Sequence, residues 1–124
     1  MDRIYRIRQG MGGRYAVERD GQLFWMRGEV FGDYDIGDAV PAGTHKFLSP
    51  VMPSIVVCIG LNYKDHAAEM NSEVPKEPII FLKANTTVIG PNDTIQWPKM
   101  ASQVDFEGEL AIVISRICKE VPRE

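Results

Sequence analysis

The sequence predicts an α+β chain that is mostly β, with a small N-terminal β module followed by the first part of a larger mixed unit. Three observations predict it. The first fifty residues break into short β-prone runs separated by glycines, two prolines interrupt the pattern at Pro50 and Pro53, and beyond them apolar strands flank one short helical stretch. With 124 residues, 44% hydrophobic and 25% charged, the composition is that of an ordinary soluble globular protein.

In the module, "RIYRIR", "QGMGG" and "RYAVERDGQLFWM" follow one another, and Asp20 and Gly21 supply the two left-handed positions of a tight hairpin turn. Tyr15 and Val17 on one arm, with Leu23 and Trp25 on the other, recur with the period of two expected where one sheet face is buried. Arg14, Glu18 and Asp38 read as solvated charges. The interruption in "LSPVMPS" places a domain boundary, so that residues 1–50 form the small N-terminal β domain and residues 51–124 the second unit.

In the second unit "IVVCIG" reads as a buried strand ending at Gly60. "LNYKDHAAEMN" contains no Gly or Pro and predicts a short helix that begins near Tyr63 or Lys64 and is closed by Asn71 or Ser72. Asn62 and Asp65 are its expected caps. "EVPKEP" is a proline-bounded loop, "IIFLK" a second buried strand, "IGPND" a turn, and "QVDFEGELAIVIS" a third strand.

Several function classes are excluded by charge and composition. A net charge of -3 with no basic stripe argues against nucleic acid as a partner. No stretch is long enough to span a membrane, and the basic N-terminus lacks the apolar run of a secretory signal. Cys58 and Cys118 have no disulfide-framework or metal spacing, so a reduced cytoplasmic setting is the default.

The third strand carries the chemistry. Side chains alternate along a strand, so Asp105, Glu107 and Glu109 share one face, with next-but-one residues about 6.5 to 7 Å apart. Such a row is either a solvated face or a set of carboxylates neutralised by a cation. The continuous apolar run "LAIVI" and the missing side chain at Gly108 favour the cation, because acids on a buried strand need a counter-charge. Hard oxygen donors select Mg²⁺, Mn²⁺ or Ca²⁺ over zinc. On the helix, His66 and Glu69 are three apart and share a face, which suits either a surface pair or a catalytic dyad. Lys83 closes "IIFLK" as a solvated strand end or as a cation for an anionic substrate.

With "CIGLNYKDHAAEM", "EPIIFLK" and "VDFEGEL" in this order and spacing, the chain closely resembles the fumarylacetoacetate hydrolase family. The resemblance implies a rolled, mixed β-sandwich catalytic domain, of which residues 51–124 would be the N-terminal part, usually assembled as a homodimer. It implies that Glu107 and Glu109 bind Mg²⁺ or Mn²⁺ and that His66 and Glu69 activate water. The implied substrates are small 2-oxo acids, and the implied reaction is hydrolysis of a carbon–carbon bond in an acylpyruvate-like compound. Related members instead decarboxylate oxaloacetate or isomerise 2-hydroxy-diene-dioates. The family's third metal-binding acid and a later substrate-binding lysine have no counterpart before Glu124. Ala84 stands where the family usually has proline, and Ser115 where glycine is common. Because "KEVPRE" reads as the start of a helix, a truncated chain is expected, and a non-catalytic fragment is the alternative from a different class.

Overall fold

The computed structural model describes residues 2–123. Strands β1 (Arg3–Gln9), β2 (Gly12–Arg19), β3 (Gln22–Gly28), β4 (Tyr34–Ala39) and the two-residue β5 (Phe47–Leu48) form an antiparallel sheet in the order β4-β3-β2-β1-β5. The hairpin between β2 and β3 turns where expected. Asp20 and Gly21 have φ of 50° and 77°, and Arg19 pairs with Gln22 across them.

That turn also corrects the expected pairing of faces. A two-residue loop fixes the register, so Val17 lies opposite Phe24 and Ala16 opposite Trp25. Directly opposed residues project to the same side. Val17 therefore shares a face with Phe24, while Leu23 and Trp25 lie on the other. Both faces are used. Ile7, Ala16, Trp25 and Val40 are buried together with Leu23 and Phe47 packed against them, and Val17 and Met26 are buried as well. Full burial of a side chain such as Ile7 contributes about 1.5–3 kcal/mol.

Polar and aromatic contacts secure the sheet. The Arg14 guanidinium lies 4.6 Å from the Trp25 ring centroid, and the Tyr5 and Phe47 rings are 5.4 Å apart. Tyr5 donates its hydroxyl proton to Glu18 at 2.6 Å, and this bond to a carboxylate raises the phenol's pKa. Asp2 accepts from Tyr34 at 2.7 Å and from Arg19 at 3.2 Å, the tyrosine bond being the larger cause of its lowered pKa. At the end of β3, Gly28 has φ of 119°, and a Cβ there would lie 2.5 Å from the Asp33 carbonyl oxygen. Only glycine fits so close an approach.

Strands β6 (Val56–Gly60) and β7 (Ile79–Lys83) form a separate antiparallel pair, with helix α1 (Lys64–Glu69) in the connection between them. The two strands fall where the apolar runs predict. Their burial does not, because β7 is exposed along its whole length and β6 is only half-buried. Among the described residues no layer packs over this pair.

Tyr63 is the N-cap of α1, with no side-chain capping bond, so neither Asn62 nor Asp65 caps the helix. Asp65 instead lies in the first turn, where a negative charge complements the helix dipole. The other end behaves as expected. Asn71 adopts φ of 49°, its N–H donates to the Ala68 carbonyl, and the Ser72 N–H donates to the Ala67 carbonyl, the pattern of a Schellman stop.

A turn at Gly90–Asp93 follows a single 3₁₀ turn at Asn85–Thr87 and reaches back to the N-terminal sheet. Asp93 pairs with Lys46 and accepts the Gly90 N–H at 2.8 Å. These contacts hold the Asp93 carboxyl below the usual aspartate value, the Lys46 bond being the larger cause.

The largest difference from expectation lies in residues 103–115, which form no strand. Phe106 is 97% exposed and Ile112 80% exposed. Alternation supplies only one requirement of a strand; a neighbouring strand to take its backbone hydrogen bonds is the other, and none pairs with this segment among the described residues. Burial on both sides is likewise not observed. The helix expected to start in "KEVPRE" is absent from 119–123, where Glu120 adopts φ of 53°; Glu124 lies outside the described residues.

Candidate active site

Helix α1 brings His66 and Glu69 onto one face, and the segment after Gln103 brings Glu107 to them. The ion-pair atoms nearest one another are His66 Nδ1 and Glu69 Oε2 at 3.8 Å, and His66 Nε2 and Glu107 Oε1 at 3.4 Å. One imidazole thus stands between two carboxylates, one approaching each ring nitrogen. Ala67, the fully buried residue of the helix, anchors this turn and leaves its neighbour His66 to face outward.

Both contacts are longer than good hydrogen bonds, and the groups are partly open to water, with side-chain exposures of 35% for His66 and 53% for Glu107. A neutral imidazole has one N–H and one lone pair, so either carboxylate can select the tautomer and leave the other nitrogen to exchange a proton.

The remaining residues singled out in the sequence are placed less tightly. Glu109 is exposed and makes no ion pair among the described residues. Asp105, expected on the same face, is engaged by its neighbour Gln103, whose side-chain amide donates to both carboxylate oxygens at 3.0 and 2.9 Å. Lys83 Nζ lies 5.7 Å from the Phe81 ring centroid, with no acid paired to it among the described residues.

Glu107 and Glu109 are hard oxygen donors two residues apart, and neither faces a lysine or arginine that would compete with a cation. In chemistry the pair fits a hard divalent ion. In number it is short, since among the described residues no group of three or more His, Cys, Asp or Glu is gathered as a metal site.

Sequence reasoning missed Tyr63. Its hydroxyl accepts the Leu110 N–H at 3.3 Å, across 47 residues of sequence. The placement of Tyr63 at the helix start was legible, but the reach of its side chain had no periodic signal.

Two surface crevices of the described residues are lined without His66, Glu69 or Glu107. A 630 Å³ crevice is lined by Arg6, Leu48, Met52, Asn85 and Asp93 among others, and one of 240 Å³ by Gly60, Asn62, Pro75 and Lys76. The smaller one adjoins the start of the segment that leads into α1. No helix in the described residues is long and apolar enough to cross a membrane.

The model of the fumarylacetoacetate (FAA) hydrolase C-terminal family matches residues 55–124. An uncharacterized protein of Archaeoglobus fulgidus is 49% identical over 107 residues, which is 86% of this chain and 39% of that protein. A mitochondrial oxaloacetate tautomerase of Homo sapiens is 46% identical over 83 residues, 66% of this chain and 26% of the relative. The crystal structure of Cg1458 with inhibitor superposes with a TM-score of 0.69 at 31% identity, covering 82% of this chain and 42% of that one. An uncharacterized protein of Mycobacterium abscessus gives 0.65 at 34% identity over 82% of this chain and 40% of its own. The chain therefore spans well under half the length of the relatives it matches.

Proposed function

The chain belongs to the fumarylacetoacetate hydrolase family, and from that premise we propose that it carries the acid–base and metal-binding part of an enzyme acting on small 2-oxo acids. The observation that carries the reading is the His66 imidazole between Glu69 and Glu107. In the reaction proposed, the imidazole moves a proton at the carbon next to the 2-oxo group, or takes one from water, while Glu69 fixes its orientation and stabilises its charged form.

Glu107 and Glu109 would hold Mg²⁺ or Mn²⁺, and Ca²⁺ is admissible for the same oxygen donors. When bound, the ion supplies Lewis-acid stabilisation of negative charge on the substrate's oxygens. Lys83, at the end of β7, is the candidate for an anionic substrate group.

Two reactions share this machinery. Hydrolysis of a carbon–carbon bond in an acylpyruvate-like substrate follows from delivery of water by His66 and Glu69. Keto–enol transfer on oxaloacetate needs only the proton movement, and it is favoured by the relatives named oxaloacetate tautomerases. Decarboxylation of oxaloacetate and isomerisation of unsaturated oxo-diacids proceed through the same kind of enolate.

Absorbance assays on the protein with oxaloacetate and with an acylpyruvate, each with and without chelator, test the proposal and separate the reactions. Loss of turnover with chelator, with Glu107→Gln and with His66→Ala supports it. Turnover that survives chelator and both substitutions rejects it.

A further inference from the structure

We propose that Tyr63 is a positioning residue whose hydroxyl fixes the segment carrying Glu107 and Glu109 against the helix carrying His66. This rests on the reading of those residues as one acid–base and metal-binding group. Tyr63 belongs to both parts of that group. Its backbone carbonyl accepts the Ala67 N–H at 3.1 Å and so opens α1, while its side-chain hydroxyl accepts the Leu110 N–H at 3.3 Å.

Ala67 is fully buried, so the turn from which the phenol projects is itself fixed. On the other side, Leu110 follows Glu109 directly and Glu107 by three residues. Among the described residues, the Tyr63–Leu110 bond is the only hydrogen bond joining residues 103–123 to the rest of the chain. The remaining polar link is the His66–Glu107 contact itself. The segment has no strand partner to set its register, so the phenol sets it in place of a ladder.

A rigid six-membered ring suits the task. It spans the gap with few rotatable bonds, and its hydroxyl, in accepting the amide proton, keeps its own proton for a further acceptor such as a carboxylate or a substrate oxygen. Removing the hydroxyl while keeping the ring loosens the carboxylates without touching any of them.

The experiment compares the wild-type chain with Tyr63→Phe and Glu107→Gln. It follows the Leu110 amide by NMR, Mn²⁺ binding by titration and the melting of the N-terminal sheet. In Tyr63→Phe the Leu110 amide is expected to shift and exchange faster, and the Mn²⁺ Kd to rise about three- to tenfold, the size of one lost hydrogen bond. The melting temperature should be unchanged, which separates positioning from general destabilisation. Glu107→Gln should abolish Mn²⁺ binding while leaving the Leu110 amide protected. An unaltered Leu110 amide in Tyr63→Phe, or an unaltered Kd where the wild type binds Mn²⁺, overturns the proposal. Wild-type protein that takes up no Mn²⁺ defeats the metal reading instead, and the Leu110 amide then decides the role of Tyr63 by itself.

Discussion

Strand β2 and the stretch from Gln103 to Ser115 both read as strands in the sequence, yet only β2 is one. β2 pairs with β1 over residues 12–18 and with β3 over residues 16–19. The later stretch has a single bond to Tyr63. Periodicity decides which side chains share a face, whereas pairing decides whether the ribbon exists. The N-terminal sheet therefore spends its pattern on packing, and the later segment exposes apolar residues to solvent and presents Glu107 to His66.

The sharpest way to break this contrast is to empty the core of the sheet. Trp25→Ala should destabilise the chain by about 3–5 kcal/mol, measured by denaturant unfolding. An effect below about 1 kcal/mol would mean that the sheet does not depend on its packed face. Next in size is Gly28→Ala, expected to destabilise by about 1–3 kcal/mol, because a side chain would meet the Asp33 carbonyl and hold a left-handed φ. Thermal melting of that variant checks it, and an unchanged midpoint would show that the turn adapts.

A smaller effect tests the link between the sheet and the 90–93 turn. The Asp93 carboxyl is depressed in the folded state by Lys46 and by the Gly90 N–H. A depressed acid contributes stability above its unfolded value, about 3.9, and loses it as the pH falls through the lower folded value. Wild-type protein should thus lose its advantage over Asp93→Asn on acidification below about pH 4. Equal melting temperatures for the two proteins at neutral pH would remove the link. The smallest effect belongs to the exposed stretch, where Ile112→Ser should change stability by no more than about 0.5 kcal/mol. A large loss there would show that the segment is packed in solution.

The legibility of the sequence follows the same division. The Asp20–Gly21 turn was readable because its φ requirement is local, and so was the helix stop at Asn71. The positions of β6 and β7 were readable from continuous apolar runs. Their exposure was not, since an apolar run reports a tendency to be buried and says nothing of what covers it. The assignment of faces on β2 and β3 failed because it turned on counting residues through a loop. At the site, the His66–Glu69 pair followed from helical spacing. The approach of Glu107 to His66 is a contact across 41 positions that spacing alone does not contain. Tyr63 was legible as a helix start and illegible as a tether.

The two tryptophans lie on opposite sides of this division, and that gives the molecule a built-in optical gauge. Trp25 is 7% exposed beneath the Arg14 guanidinium, while Trp97 is 60% exposed, with its indole N–H bonded to the Ala101 carbonyl just before the carboxylate segment. Emission from the first should be blue and sheltered from a soluble quencher, and emission from the second red and accessible. Singly replaced variants would therefore let one fluorimeter follow the interior of the sheet and the neighbourhood of the carboxylates as separate signals.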